Sequence, residues 1–433
     1  MQSMKQRLIE QAARRTLKRV DSKVSSSDVA TNATQPASRT DFRSHPAWQQ
    51  MNLMQQGAQQ LGITDPFFRV HEGCSGATAM INGREYINFA SYNYLGLSGD
   101  PRVIAAAQQA VAQYGTSVSA SRMVSGERPI HRELEQALAQ AYQADDALVL
   151  VSGHATNVSV IGYLMGHRDL ILHDEYSHNS ILQGAQLSDA RRMAFRHNDL
   201  AQLEQLLEQH RNQFDRVLIV VEGLYSMDGD GPDLARLVDL KESHDSWLMV
   251  DEAHGLGVLG RNGKGSYEFA DIDPQRVDIW MGTLSKTLSG CGGYIAGNQA
   301  LIDLLRHFAP GFLYSVGMPA ATAAASLESL RIMQAEPERV QALQKNSQYL
   351  RQQAQSMGLD TGHCLGYAVI PVMSGSSLAA VRQSEALFQQ GINVQPIVSP
   401  AVPEKSARLR FFVSSEHTQQ HIDTALKVLQ ELI

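Results

Sequence analysis

The chain has little cysteine: three residues in 433, Cys74, Cys291 and Cys364, lie far apart, odd in number and without metal-ligand spacing. That pattern excludes a disulfide framework and gives no sign of a metal site, so a reducing compartment is expected. Positive charge is not in excess either. With 37 basic against 44 acidic residues the net charge is −7, and no global basic field exists to hold nucleic acid. Any phosphate must be bound by local groups. No apolar run nears the roughly 20 residues needed to cross a bilayer, and the N-terminus lacks the apolar core of a secretory signal. A soluble, cytoplasmic protein without an integral membrane segment is expected. What is present is an ordinary globular composition, 43% hydrophobic, in a chain long enough for two or three domains with a large core.

Residues 1–20 carry Lys5, Arg7, Arg14, Arg15, Lys18 and Arg19 against Glu10, with Ile9, Ala13, Leu17 and Val20 at helical spacing. This predicts a short basic amphipathic helix, which either docks an acidic partner or a membrane surface or is a solvated terminal helix. Residues 21–42 are rich in Ser, Thr, Ala and Asp and poor in large apolar groups, as in a flexible linker. A segment at 43–100 follows, with a helix from Pro46 to about Leu61 and then ATAMINGREYINFAS around Asn82-Gly83, the signature of a tight hairpin.

From residue 101 to about 318 short apolar runs alternate with helical patterns: ALVLV, DLILH, a strand near Met193, RVLIVV, WLMV, VDIWM and GGYIAG. Such alternation predicts a mostly parallel sheet covered on both faces, with ligands beyond the carboxyl ends of its strands. Residues 319–433 read as two long linking helices followed by a small α+β domain containing LGYAVIPVM and ARLRFFV. The join reads as continuous helix, so the two domains should move little against each other.

WLMV ends in Asp251, and VDIWM is followed by GTLSKTLSG with its single lysine, Lys286. An amine and a carboxylate, each near the end of a buried strand, suit a pyridoxal phosphate enzyme: one for the Schiff base, the other for the pyridinium nitrogen. Taken singly, either could be a surface lysine or a strand-end capping aspartate. SGHATN, residues 152–157, supplies a glycine turn opening a helix whose free amides, at Gly153 and His154, can face a dianion. Arg410 in ARLRFF offers a planar fork for a carboxylate.

These motifs stand in one order over some 360 residues, and from about residue 66 to the end the chain resembles the α-oxoamine synthases, fold-type I pyridoxal phosphate enzymes that condense a small amino acid with an acyl thioester and lose carbon dioxide. The resemblance implies an α/β fold with a large domain built on a mostly parallel seven-stranded sheet, plus a small C-terminal α+β domain. It implies that Lys286 carries the cofactor and shuttles the α-proton, and that Asp251 keeps the pyridine nitrogen protonated. It places His178 of HDEYSHNS on the pyridine face and His254 at the phenolic oxygen and thioester carbonyl. Thr283 and Ser285 match hydroxyls that contact the phosphate. Ser226 of VVEGLYSMDGD matches a serine near the phenolic oxygen, and His154 stands where the family has an aromatic residue. Ser315 of FLYSVGMPA resembles a hydroxyl that reaches the neighbouring subunit's phosphate, which implies a homodimer with shared sites, although the usual next threonine is Val316 here. Arg410 matches the carboxylate arginine. Tyr92 and Asn93 of SYNYLGL stand in the Tyr-Asn form similar to serine palmitoyltransferases, at the substrate. The region from Phe67 and the stretch AVPEKSARLRFF resemble synthase domains of assembly lines, whose donor is an acyl carrier protein; coenzyme A is the other candidate donor. Glycine, alanine and serine are all open as the amino acid. A transaminase or lyase of the same fold would share Lys286, Asp251 and the phosphate cup, and an inactive partner subunit is the non-enzymatic alternative.

Overall fold

The computed structural model describes residues 40–60, 62 and 64–432. The basic helix expected over residues 1–20, and all but the last three residues of the linker expected at 21–42, lie outside the described residues. Those described fall into two compact units divided after Gly62. In the first, Asp41 accepts from the Arg43 amide to cap a short turn at Phe42–Ser44, and Pro46–Gln60 forms a helix with no buried side chain.

The second unit opens with β1 (His71–Glu72), β2 (Thr78–Ile81) and β3 (Arg84–Asn88), all antiparallel. Asn82 and Gly83 join β2 to β3 with φ of 52° and 70°, the two left-handed residues that a tight two-residue hairpin turn requires.

Seven strands form the central sheet: β4 (Asp146–Leu150), β5 (Leu170–Asp174), β6 (Arg191–Phe195), β7 (Val217–Glu222), β8 (Trp247–Asp251), β9 (Ile279–Thr283) and β10 (Gly293–Gly297), in the order β4-β10-β9-β8-β7-β5-β6. Only β10 is antiparallel to its neighbours. Apart from β6, whose first four residues are largely exposed, the strands are mostly apolar and buried because both faces are covered. Val217, Ile219 and Val221 of β7 enter one core with Leu248 and Val250 of β8, while Leu218 and Val220 enter the other with Met249. The mostly parallel seven-stranded sheet stands as the sequence predicts.

The remaining strands are β11 (Val369–Met373), β12 (Ile392–Asn393), β13 (Gln395–Ile397) and β14 (Arg408–Phe412). β14 lies between β11 and β13 in a small antiparallel sheet, whereas β12 runs parallel to β3 and completes a four-stranded sheet with the hairpin. The expected continuous helix is corrected. Ala320–Ala335 and Pro337–Ser356 are separate helices, broken at Glu336 with φ −122° and ψ 65°, since the ring of Pro337 disfavours helical geometry in the residue before it. Among the described residues no helix is long and apolar enough to cross a membrane.

Candidate active site

The strand ends gather the site. Asp251 closes β8 and pairs in register with Glu222, the last residue of β7; both are buried. Neutral donors hold Asp251: Asn157 Nδ2 donates to one oxygen at 2.8 Å and the Ala253 amide to the other at 2.9 Å. The same Asn157 amide reaches Ser180 Oγ at 3.0 Å, which lies 2.7 Å from His178 Nδ1. Asp251, Asn157, Ser180 and His178 thus form one hydrogen-bonded chain. His178 caps the helix Asn179–Leu187, its ring nitrogen accepting from the Ser180 amide, while its own backbone N–H donates to Glu222 Oε1 at 2.7 Å. Among the described residues no ion pair reaches either carboxylate. Burial, aided by the neighbouring charge of Asp251, pushes Glu222 up to about 8.

Lys286 follows β9 and is half-buried. Burial lowers its amine to about 8, with Asp251 and Glu222 opposing the shift. Its Nζ lies 5.6 Å from the centre of the Tyr92 ring. The lysine loop is fastened to the loop after Asp251 through Thr287, whose hydroxyl donates to the Leu256 carbonyl at 2.8 Å. Gly257, at φ 76°, permits this approach, since a Cβ there would stand 2.2 Å from Thr287 Cγ2. In that second loop His254 is buried, its Nδ1 2.7 Å from the Tyr94 hydroxyl. Burial, and then the charges of Lys286 and Arg410, hold the imidazole well below its usual range, so it is neutral.

Gly153 opens the helix Gly153–Leu164, capped by Ser152. Its missing side chain faces Thr283 closely: a Cβ would lie 2.8 Å from Thr283 Oγ1. That hydroxyl donates to the Gly292 carbonyl at 3.0 Å and lies 2.7 Å from Ser285 Oγ. The structure therefore brings Gly153, Thr283 and Ser285 together at free helix amides. His154 is exposed beside them, its ring centre 6.3 Å from that of His178 and nearly perpendicular to it.

Arg410 is buried on β14. One nitrogen donates to the Ser226 carbonyl at 3.0 Å and lies 3.2 Å from Met227 Sδ, whereas its Nε is buried without a partner. Ser226 therefore joins the site through its backbone. Arg408, two residues earlier on the same face, is an ion-paired support: it meets Asp228 at 2.6 Å and the Met227 carbonyl at 2.9 Å. Tyr92 packs edge-on against Phe412 and His254, at 4.8 Å and 6.2 Å between centroids. One expected residue is not brought there. Asn93 is turned to the backbone, its amide donating to the Ser75 carbonyl at 3.3 Å and its oxygen accepting from the Ser98 amide at 3.2 Å. Ser315 hydrogen-bonds the carbonyl of Val316 in a largely exposed segment. Sequence reasoning missed Glu222, Asn157, Ser180 and Tyr94, although each lies inside or beside a motif it singled out.

Two features fit pyridoxal phosphate: a buried carboxylate held only by neutral donors and a cradle at Gly153 that a side chain would fill. Residues 84–429 match the family described as aminotransferase class I and II. The chain is 39% identical over 370 residues to the 8-amino-7-oxononanoate synthase of Symbiobacterium thermophilum, covering 86% of this chain and 94% of that protein. It is 40% identical over 362 residues to a putative enzyme of the same name from Rippkaea orientalis, covering 83% and 92%. Among solved structures, the serine palmitoyltransferase of Sphingomonas wittichii superposes with a TM-score of 0.86 at 31% identity, over 90% of this chain and 98% of that one. The 8-amino-7-oxononanoate synthase of Francisella tularensis superposes with a TM-score of 0.70 at 25% identity, over 80% and 97%. The fold, the strand-end lysine and aspartate and these relatives agree: the chain belongs to the α-oxoamine synthases, pyridoxal phosphate-dependent acyltransferases of the class I and II aminotransferase fold.

Proposed function

We propose that the chain condenses serine, alanine or glycine with an acyl thioester, forming the bond between the amino acid's α-carbon and the thioester carbonyl and releasing thiol and carbon dioxide to leave an α-amino ketone. One observation carries this reading: a buried arginine with a free Nε beside Lys286 and His254, which calls for a small anionic partner. A carboxylate matches that fork.

Bound pyridoxal phosphate supplies the electron sink for negative charge at the α-carbon. Gly153, His154, Thr283 and Ser285 would hold its phosphate, Asp251 its ring N–H, and His178 its ring face, with Ser226 and His254 near its phenolic oxygen. Lys286, with an amine lowered to about 8, takes and returns the α-proton near neutral pH. Arg410 orients the carboxylate, with the Tyr92 ring covering the lysine. His254, held neutral by burial, can donate a ring N–H to the carbonyl oxygen as negative charge develops there.

A homodimer with shared sites is part of the proposal. Around Ser315 the apolar side chains Tyr314 and Val316 are 88% and 50% exposed, and Met123 and Val124 are 55% and 79% exposed. They adjoin through the Gly317 amide, which donates to the Ala120 carbonyl at 3.0 Å. A second copy would cover this patch and bring Ser315 to its neighbour's site. The acyl donor is proposed to be a carrier protein, supported by the basic run in residues 5–19 and the acidity such a partner would bring.

The test is turnover of the full chain with each amino acid against palmitoyl-coenzyme A and against a palmitoylated acyl carrier protein. One amino acid and the carrier-bound donor should dominate kcat/KM. Equal use of both donors would remove the carrier assignment, and amino transfer to a keto acid without thiol release would overturn the condensation.

A further inference from the structure

His197 stands outside the chemistry just described, two residues beyond the end of β6. Its Nδ1 lies 2.9 Å from Asp174 Oδ1 and its Nε2 2.9 Å from Asp230 Oδ2. Carboxylates only accept, so both ring nitrogens donate and the ring is an imidazolium. Tyr176 stacks on it with centroids 4.4 Å apart, and Tyr225 meets it edge-on at 4.6 Å.

The two carboxylates belong to different walls of the site. Asp174 ends β5 and accepts from the Tyr176 amide at 2.8 Å, fixing the turn that leads into His178. Asp230 closes the turn after β7, where its carbonyl accepts from the Tyr225 amide at 2.8 Å. That turn carries Ser226, whose carbonyl receives Arg410, and Met227 and Asp228, which receive Arg408. Asn198 reinforces the bridge, its amide donating to Asp174 at 2.8 Å and its side chain to Asp230 at 3.1 Å.

We infer that His197 is a positioning residue: as a cation shared by Asp174 and Asp230 it sets the spacing between the His178 turn and the Ser226–Asp230 turn, and with it the placement of the cofactor-facing histidine relative to the arginine that receives the amino-acid carboxylate. The inference rests on the proposed roles of His178 and Arg410. The groups facing the ring are Asp174, Glu175 and Tyr176 from the β5 turn and Tyr225 and Asp230 from the β7 turn, with Asp228 and Arg408 beyond them; Glu175 also accepts from the His197 amide at 3.0 Å. Burial opposes the charge, but the hydrogen bonds and charges of Asp174 and Asp230 outweigh it and hold the ring at about 10. Because the folded value is raised, the contribution of the bridge is complete below the ordinary value of about 6.5 and is lost as pH rises through about 10.

The test uses the full-length holoenzyme, measuring dissociation constants for pyridoxal phosphate and for glycine, alanine and serine from about pH 7 to about pH 11.5. In the wild type both ligands should weaken about tenfold as pH passes 10, a loss of alignment rather than of contact. His197→Gln should be about tenfold weaker already at neutral pH and lack this pH-dependent step. Asp230→Asn should keep the step but move it down by about one pH unit or more. Binding by His197→Gln within about twofold of wild type, or an unmoved step in Asp230→Asn, would overturn the inference. If none of the three amino acids binds the wild type, the substrate reading fails, and the cofactor affinities still decide the role of His197.

Discussion

Replacing Lys286 by alanine is expected to lower condensation turnover by at least about a thousandfold while leaving the fold intact. The size follows from the loss of a positioned general acid and base together with the covalent attachment point. Stability should change little: the amine is half-buried and burial lowers it to about 8, so the side chain gives the fold little that alanine lacks, apart from stem packing. Two measurements separate the effects. Borohydride reduction followed by mass analysis should show the cofactor fixed to the Lys286 peptide in the wild type and absent in the variant, and thermal melting should give similar midpoints for the two apo proteins. Turnover above about a tenth of wild type would remove the lysine from the chemistry.

Arg410→Met should separate function from stability in the opposite sense. In the free protein the guanidinium is a buried charge with no carboxylate partner: its Nε is unpartnered, one nitrogen donates to the Ser226 carbonyl and lies near the Met227 sulfur, Tyr92 offers a hydroxyl, and the group lies over the Phe412 ring at 4.4 Å. Burial pulls its pKa down, the sign of a cation that the fold accommodates at a cost. Removing a buried charge that has no carboxylate partner is neutral or stabilising by about 1 kcal/mol, so the variant's melting midpoint should equal or exceed that of the wild type. Its kcat/KM for the amino acid should fall by about a hundredfold or more, the roughly 3 kcal/mol lost when a buried carboxylate loses its charged partner. Arg410→Lys keeps the charge but not the fork and should recover only part of this. A destabilised Arg410→Met with an unchanged amino-acid KM would show the arginine to be structural.

The groups that meet at strand ends were legible in the chain because an apolar run reveals where a buried strand stops, and Asp251, Thr283 and Lys286 sit at or just past such stops. The seven-stranded sheet was legible for the same reason. Glu222 ends an equally clear run, yet its closeness to Asp251 depends on which strands are neighbours, and strand order has no local signal. His197 is harder still: its partners lie 23 residues before it and 33 after it. The strands β12 and β13 are too short, at two and three residues, to show any period. Asn93 illustrates a different limit. A motif places the residue in the right loop, but the demand of nearby backbone groups at Ser75 and Ser98 for partners decides where its amide goes.

The most direct test of the central claim is the stoichiometry of carbon dioxide and thiol released by the pyridoxal phosphate-loaded enzyme, given a carboxyl-labelled amino acid and an acyl thioester. The expected result is one carbon dioxide and one thiol per α-amino ketone, with neither product formed when either substrate is omitted. Thiol release without carbon dioxide, or carbon dioxide released from the amino acid alone with no thioester consumed, would contradict decarboxylative condensation.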